Sequence, residues 1–237
     1  MQQIMERVSS GIGELDVKLG GGYPKGKGIL ITGVAGSGKT IFVLHFLHKA
    51  CEDGKKCVMI ATEETPEDIL LQAKMIGLDF SNYYENKQLI IERVFESRST
   101  KTESMAKLGI NMGGLQIDLP LLIDSVPTDT DIVVIDNIGA FTLRYTTIEF
   151  REQFDALNYI LSTRGCTTLF VMDESAYNMT NTIADYSVYG SVRLLVKENP
   201  YTGKMERYIT IPKMRSTRVS PDMTVFEITS SGIKFKK

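Results

Sequence analysis

The feature that most limits how this chain can fold is a glycine-rich segment between a short apolar run and an amphipathic stretch. Gly33–Thr40 satisfies the pattern G-x-x-x-x-G-K-[ST]. The apolar run Gly28–Thr32 precedes it, and apolar residues recur at helical spacing over Lys39–Ala50. This order of strand, loop and helix is the context that a phosphate-binding loop requires. The sequence therefore predicts an α/β chain that binds a nucleotide by its phosphates.

The chemistry of such a loop predicts a function for its residues. Glycines let backbone N–H groups approach phosphate oxygens closely, and the N-terminus of the following helix adds partial positive charge. Lys39 is expected to reach the β- and γ-phosphates, and the Thr40 hydroxyl is expected to bind Mg²⁺. The residues predicted to contact the nucleotide are Gly33, Ala35, Gly36, Ser37, Gly38, Lys39, Thr40 and Ile41.

Acidic residues at the ends of two other predicted strands could complete the site. Asp136 closes the apolar run 131–136 and has the form of a Walker B aspartate, which binds Mg²⁺ through water. A strand-terminal Asp that caps a turn is the alternative. Glu63 and Glu64 follow the strand predicted at 56–61 and could orient or activate an attacking water. They could instead be solvated carboxylates ahead of the helix cap at Thr65.

Alternating strands and helices predict the fold class. We predict an α/β fold with a mostly parallel central sheet flanked by helices, followed by antiparallel strands at the C-terminal end. The chain is expected to form a single domain over residues 1–237. The predicted strands are 28–32, 56–61, 88–94, 131–136, 166–172, 191–198, 204–213, 223–228 and 233–237, and the predicted helices are 39–50, 66–77 and 148–164. The stretch 95–114 is expected to be a mobile loop with a short helix at about 102–108.

Composition excludes several classes of protein. The formal net charge of −2 gives no general reason for tight binding to a phosphate backbone. No apolar run is long enough to span a bilayer, so we expect no membrane span and a cytoplasmic location. Cys51, Cys57 and Cys166 are expected to be free thiols in a reducing compartment. His45 and His48 would share one side of a helix, but no third ligand lies near them, so we predict no metal site there.

Several segments in sequence order resemble a KaiC-like ATPase of the RecA superfamily. They are SSGIGELDVKLGGGYPKG ahead of the phosphate-binding loop, then ATEETPED, DIVVID, KMRST and VFEITSSGIK. The similarity extends from about Ser9 to the end of the chain. KaiC itself carries two such units in tandem, whereas this chain has one. It therefore looks like a single-domain relative of the archaeal type.

The resemblance implies a RecA-like fold and an Mg²⁺-dependent ATPase that works in a ring, expected to be a homo-hexamer. In the family, the acids matching Glu63 and Glu64 are catalytic. The residues matching Lys213 and Arg215 reach the γ-phosphate of a nucleotide bound to the neighbouring subunit, and Thr217 matches the family's hydroxyl position. ATP is expected rather than GTP, because the family prefers adenine and the sequence has no N-K-x-D motif.

The sequence also departs from the family pattern. Ser216 stands where the family usually has glycine, and Val219 stands where it usually has histidine. In the clock protein, a phosphorylated Ser/Thr pair lies in the stretch before the strand that matches SVRLLV. Asn178–Tyr189 is that stretch here, and it contains Thr180, Thr182 and Ser187 but no adjacent Ser-Thr pair. The Ser216 and Val219 departures both lie in the segment that follows Arg215, and autophosphorylation is not inferred.

Three functions remain open from the sequence. The favoured one is a ring ATPase whose hydrolysis drives a conformational change read by an unidentified protein partner. The second is a RecA-type DNA motor, which needs basic inward loops: Phe95–Gly114 contains Arg98, Lys101 and Lys107, whereas Glu174–Tyr189 contains no Lys or Arg. The third is a nucleotide sensor without hydrolysis, such as an archaeal filament accessory protein. Such a sensor is expected to lack a catalytic acid, and this chain has both glutamates.

Overall fold

A computed structural model describes residues 5–94, 119–142, 145–174 and 178–236. Its strands are β1 (Arg7–Val8), β2 (Tyr23–Pro24), β3 (Gly28–Gly33), β4 (Cys57–Ala61), β5 (Leu89–Arg93), β6 (Ile132–Asp136), β7 (Thr167–Asp173), β8 (Gly190–Glu198), β9 (Met205–Met214), β10 (Thr224–Thr229) and β11 (Gly232–Phe235). The helices are α1 (Gly13–Lys18), α2 (Lys39–Glu52), α3 (Pro66–Met75), α4 (Ser81–Glu85), α5 (Gly139–Thr142), α6 (Thr147–Thr163) and α7 (Asn178–Ser187), with a 3-10 helix at Leu119–Ser125.

A nine-stranded sheet forms the centre of the molecule. Its strands lie in the order β11-β10-β9-β8-β3-β7-β6-β4-β5. The pairs from β8 to β5 are parallel, and the pairs from β8 to β11 are antiparallel. Strands β1 and β2 form a separate antiparallel pair. The predicted fold class, a mostly parallel sheet that ends in antiparallel strands, is confirmed.

Two apolar clusters cover the two faces of the sheet. Helix α2 packs on one face, where Phe42, Phe46 and Leu47 are buried. Helix α6 packs on the other, where Phe150 and Phe154 are buried. Strands β3, β4, β6 and β7 are almost wholly buried, because helices cover both of their faces. The parallel strands therefore hold their carboxyl ends at one edge, where loops carry polar side chains.

Helix α7 corrects one sequence expectation. The stretch 174–189 was expected to form an inward loop, but Asn178–Ser187 is helical. Ala184 is buried in the cluster on the α6 face and Ile183 packs against it. Asn and Thr are poor helix formers, so tertiary packing rather than propensity stabilises this helix.

Other expectations concern segments and residues outside the nucleotide loop. The loop and short helix predicted within 95–114 lie outside the described residues. The three cysteines are free and buried. His45 accepts a hydrogen bond from the backbone N–H of Ile233 at 3.0 Å, so it joins the last strand to helix α2. Within the described ranges, every helix is too short or too polar to span a bilayer.

Candidate nucleotide-binding site

The glycine-rich loop joins the carboxyl end of β3 to the N-terminus of α2. Gly38 has φ of +97°, a conformation that side-chain-bearing residues rarely adopt. A Cβ atom at Gly38 would lie 2.6 Å from the Ile228 Cδ1 atom of β10. Val34, Ala35 and Gly36 are exposed at the tip of the loop. The loop thus presents backbone groups to solvent at a helix N-terminus, which is the geometry of an anion site.

Two contacts at this loop come from residues that the sequence did not single out. Arg207 of β9 donates from Nη2 to the Gly36 carbonyl at 3.3 Å, and Ile228 covers Gly38. The antiparallel strands therefore support the loop from one side. The Ser37 hydroxyl is buried and has no hydrogen-bond partner among the described residues. An unpartnered buried hydroxyl in the loop fits a site that a polar ligand completes.

Lys39 is the buried cation of the site. Its side chain is only 9% exposed. The Nζ atom lies 3.0 Å from the Gly33 carbonyl oxygen, 3.1 Å from the Val34 carbonyl oxygen and 2.5 Å from Asp173 Oδ1. Each of its three N–H groups therefore has an acceptor within the chain.

Thr40 and Asp136 meet as the sequence predicts for a metal site. The Thr40 hydroxyl donates to Asp136 Oδ2 at 2.8 Å. Burial raises the pKa of Asp136 to about 6, and the nearby carboxylates of Glu64 and Glu63 act in the same direction. The Thr40 hydrogen bond and the Lys39 charge oppose the shift. A divalent cation beside Asp136 would favour its charged form.

The donor set at this position fits Mg²⁺. A hydroxyl and a carboxylate are the hard oxygen ligands that Mg²⁺ takes from proteins, with water and substrate phosphates completing its shell. Among the described residues, no cluster of three or more His, Cys, Asp or Glu side chains could hold a metal by itself. A cation at Thr40 and Asp136 would therefore depend on a bound nucleotide for further ligands.

Glu63 and Glu64 lie beside Asp136 at the end of β4. They line one small cavity together with Thr40 and Asp136. Glu64 is half-buried, and its Oε2 atom accepts from Gln72 Nε2 of α3 at 3.0 Å, whereas Glu63 is exposed. Both carboxylates thus lie near the expected position of the phosphates.

The acids at the site come from strands that are not adjacent to the strand carrying the loop. A P-loop is expected to have its second acid, Asp136, at the end of a strand beside it, and Glu63 and Glu64 would lie across the nucleotide site from the loop if the strands were neighbours. In the sheet, β7 lies between β3 and β6, and the two strands β7 and β6 lie between β3 and β4. Helix α2 lies across these strands, so Thr40 reaches Asp136 directly.

The strand between them brings a residue that the sequence did not single out. Asp173 ends β7 and pairs in register with Gly33. Its Oδ2 atom accepts from Asn137 Nδ2 at 2.6 Å, and its Oδ1 atom contacts Lys39. The sequence does mark Asp173 as a strand-terminal acid, because β7, like β6, is an apolar run closed by an acid, but it does not mark the contact with Lys39.

The loop lies at the carboxyl ends of the parallel strands. The amino ends of these strands lie close to Lys213, Arg215 and Thr217. Lys213 Nζ donates to the Asp185 carbonyl of α7, and Arg215 Nη2 lies 3.5 Å from the Tyr186 carbonyl. Burial and the Arg215 charge lower the pKa of Lys213, against the effect of Asp185. Thr217 Oγ1 donates to the Arg215 carbonyl. The structure does not bring these residues to the nucleotide loop of the same chain.

Fold and site together define a P-loop protein with a RecA-like α/β fold. The family described as "ATPase: KaiC" matches residues 8–237, and the chain belongs to it. The resemblance to a KaiC-like ATPase is therefore confirmed. Membership of this family suggests that the loop binds ATP.

Relatives match both as whole proteins and as parts of longer ones. The chain is 29% identical over 234 residues to a UPF0273 protein of Methanopyrus kandleri, covering 97% of this chain and 92% of that protein. It is 25% identical to the circadian clock oscillator protein KaiC of Parathermosynechococcus lividus, covering 97% of this chain and 40% of that protein. The crystal structure of a KaiC-like protein from Pyrococcus horikoshii matches with a TM-score of 0.78 at 27% identity, covering 99% of this chain and 100% of that one.

Proposed function

We propose that this protein binds ATP with Mg²⁺ and hydrolyses it in a ring, at sites that a neighbouring subunit completes. Lys39 and the loop backbone would hold the phosphates, and Thr40 with Asp136 would hold the cation. Mg²⁺ would neutralise phosphate charge. Glu64 or Glu63 would orient the attacking water and take its proton.

The position of Lys213 and Arg215 is the observation that supports shared sites. Met214 pairs with Gly190 at the start of β8, while Gly33 pairs with Leu194 further along the same strand. Four residues of strand separate the two levels by about 13 Å. Arg215 is also exposed. Both cations are thus remote from the chain's own loop, and the exposed Arg215 is available to a second copy.

A head-to-tail ring accounts for this separation. In such a ring, one edge of each subunit contacts the unlike edge of the next. Arg215 would then approach the γ-phosphate held by the neighbouring loop and stabilise the charge that develops there. A trans-acting arginine contributes about 10³- to 10⁵-fold to turnover in well-studied NTPases. We propose a homo-hexamer, with hydrolysis driving a change of shape that a protein partner reads.

The catalytic assignment is tested by removing the two carboxylates. We expect the double variant Glu63→Gln/Glu64→Gln to lose phosphate release while binding ATP at least as tightly as the wild type, since neither acid contacts Lys39 or Thr40 by a hydrogen bond and two negative charges near the phosphates are removed. Glu67→Gln, which removes an exposed acid from the first turn of α3, is the matched control and should retain turnover. Unchanged turnover in the double variant would remove both glutamates from the mechanism.

Assembly is tested separately. Light scattering with and without Mg-ATP measures the oligomer, and phosphate release at the same protein concentrations measures the chemistry. We expect specific activity to fall on dilution as the ring dissociates. A chain that is monomeric throughout and keeps full specific activity would contradict the shared-site proposal.

A further inference from the structure

Asp173 holds the lysine on which phosphate binding depends. Lys39 Nζ has three donors, and Asp173 is the charged one among its three acceptors, at 2.5 Å. A phosphate oxygen can bind this ammonium only if one acceptor is released or shared. The two carbonyl acceptors belong to the loop itself, whereas Asp173 belongs to the neighbouring strand β7.

Asn137 fixes the carboxylate in this position. Its Oδ1 atom accepts from the Gly139 N–H at 2.6 Å, so its Nδ2 group is directed to Asp173 Oδ2, also at 2.6 Å. Its own N–H donates to the Thr62 hydroxyl at 3.0 Å. Asn137 is buried, and Asp173 is therefore held between two donors from two elements.

The other carboxylate of the site is placed differently. Asp136 bonds the Thr40 hydroxyl, and a divalent cation could be bound by both groups at once. Asp173 and a phosphate are both anions, and both would bind the ammonium group of Lys39. Their like charges also repel each other. The Thr40–Asp136 contact is thus compatible with a bound Mg-nucleotide, and the Lys39–Asp173 contact competes with it.

We propose that Asp173 is an internal competitor for Lys39 that weakens nucleotide binding and favours release. The proposal rests on the proposed function, since it requires that the loop binds ATP. Asp173 keeps Lys39 paired in the empty site and opposes the entry of a triphosphate more than that of a diphosphate, because the triphosphate carries more charge. It is a residue that sets affinity and does not itself take part in the chemical step.

The test measures affinity in a variant that loses the charge but keeps the shape. We expect Asp173→Asn to bind ATP about threefold to fivefold more tightly than the wild type, which is the upper part of the range for a partly exposed ion pair. The gain in affinity should be smaller for ADP. It should also shrink in about 0.5 M salt, because ions at that concentration screen charges that are more than a few ångströms apart. Titration with a fluorescent ATP analogue, in Mg²⁺ and in EDTA, gives these values without measuring turnover.

Glu174→Gln is the matched control. It removes the same charge one residue further on, where Glu174 pairs with Arg193 and, among the described residues, makes no ion pair or side-chain hydrogen bond with Lys39. We expect its ATP affinity to stay within about twofold of the wild type. An equal gain in both variants would assign the effect to general charge and overturn the proposal.

Two other outcomes separate the possible failures. If wild type binds ATP and Asp173→Asn binds it equally or more weakly, the competitor assignment is wrong and the proposed function stands. Weaker binding only in Mg²⁺ would make Asp173 a metal ligand instead. If wild type binds no ATP, the proposed function fails and this inference fails with it. Asp173→Ser provides the same comparison if the Asn variant does not fold.

Discussion

At the scale of single residues, His45 shows how a buried polar side chain can join two distant parts of the chain. It lies on the helix that follows the nucleotide loop, and its Nε2 atom accepts from Ile233 of the last strand. The acceptor must be a neutral imidazole nitrogen, because a protonated ring offers only donors. Burial, together with the charge of His48, lowers the pKa of His45 to about 4. The contact is therefore sensitive to acid.

We expect this contact to make stability depend on pH between about 6.5 and 4. The unfolded chain takes up a proton on His45 near its ordinary pKa of about 6.5, before the native state does. The contribution of His45 to stability is therefore constant above this window and falls as the pH is lowered through it. Below the native pKa of His45 it does not change further. The shift corresponds to up to about 3 kcal/mol in the free energy of unfolding.

Urea unfolding at several pH values measures this effect. His45→Gln keeps a side-chain acceptor but does not titrate, so its curve should lack the His45 share of the fall between about pH 6.5 and 4. His48→Gln, on the same helix and half-buried, is the matched control and should keep most of the fall. Parallel pH curves for wild type and His45→Gln would show that His45 is not the group responsible.

At the scale of elements, local signals decide where a helix begins. Helix α6 starts with a capping box, in which Thr146 Oγ1 accepts from the Glu149 N–H at 3.3 Å and Glu149 accepts from the Thr146 N–H at 2.8 Å. The helix then buries Phe150 and Phe154 against the sheet. The cap satisfies backbone donors that the helix cannot pair by itself.

Replacement of the cap residue should destabilise the protein without altering the site. We expect Thr146→Ala to lower the free energy of unfolding by about 1 kcal/mol, the usual cost of a lost N-cap. Thr147→Ala, at the next and equally exposed position inside the helix, should change it by less than about 0.5 kcal/mol. Chemical denaturation of the two variants gives the comparison, and equal losses would mean that the cap contributes nothing.

Elements with such signals could be predicted, and those stabilised by distant contacts could not. The Thr65 cap and Pro66 marked the start of α3, and the apolar spacing marked α6. Helix α7 has neither signal and depends on Ala184 packing against the α6 face. The same limit applies to the site. Lys39 and Thr40 could be predicted, because they belong to a local motif. Asp173 is brought to Lys39 by the strand order, which no local pattern encodes.

At the scale of the whole molecule, the proposed site residues lie at two opposite ends of the parallel strands. The loop, the glutamates and Asp136 lie at the carboxyl edge of the parallel strands, while Arg215 lies at the other. A heterologous interface can join such unlike edges and close into a ring. Each proposed site would then take its loop from one chain and its arginine from the next.

Mixing two inactive variants tests this arrangement. We expect Glu63→Gln/Glu64→Gln and Lys213→Ala/Arg215→Ala each to lack turnover alone, because each lacks one half of every site. In rings formed at random from equal amounts, about one quarter of interfaces join an intact loop with its acids to an intact arginine, as a heterologous ring requires. Phosphate release should therefore recover to about one quarter of the wild-type rate. Each chain in such a mixture still carries one defective half, so a site formed within one chain would gain nothing from mixing. Activity that stays at zero in rings shown to contain both variants would exclude shared sites.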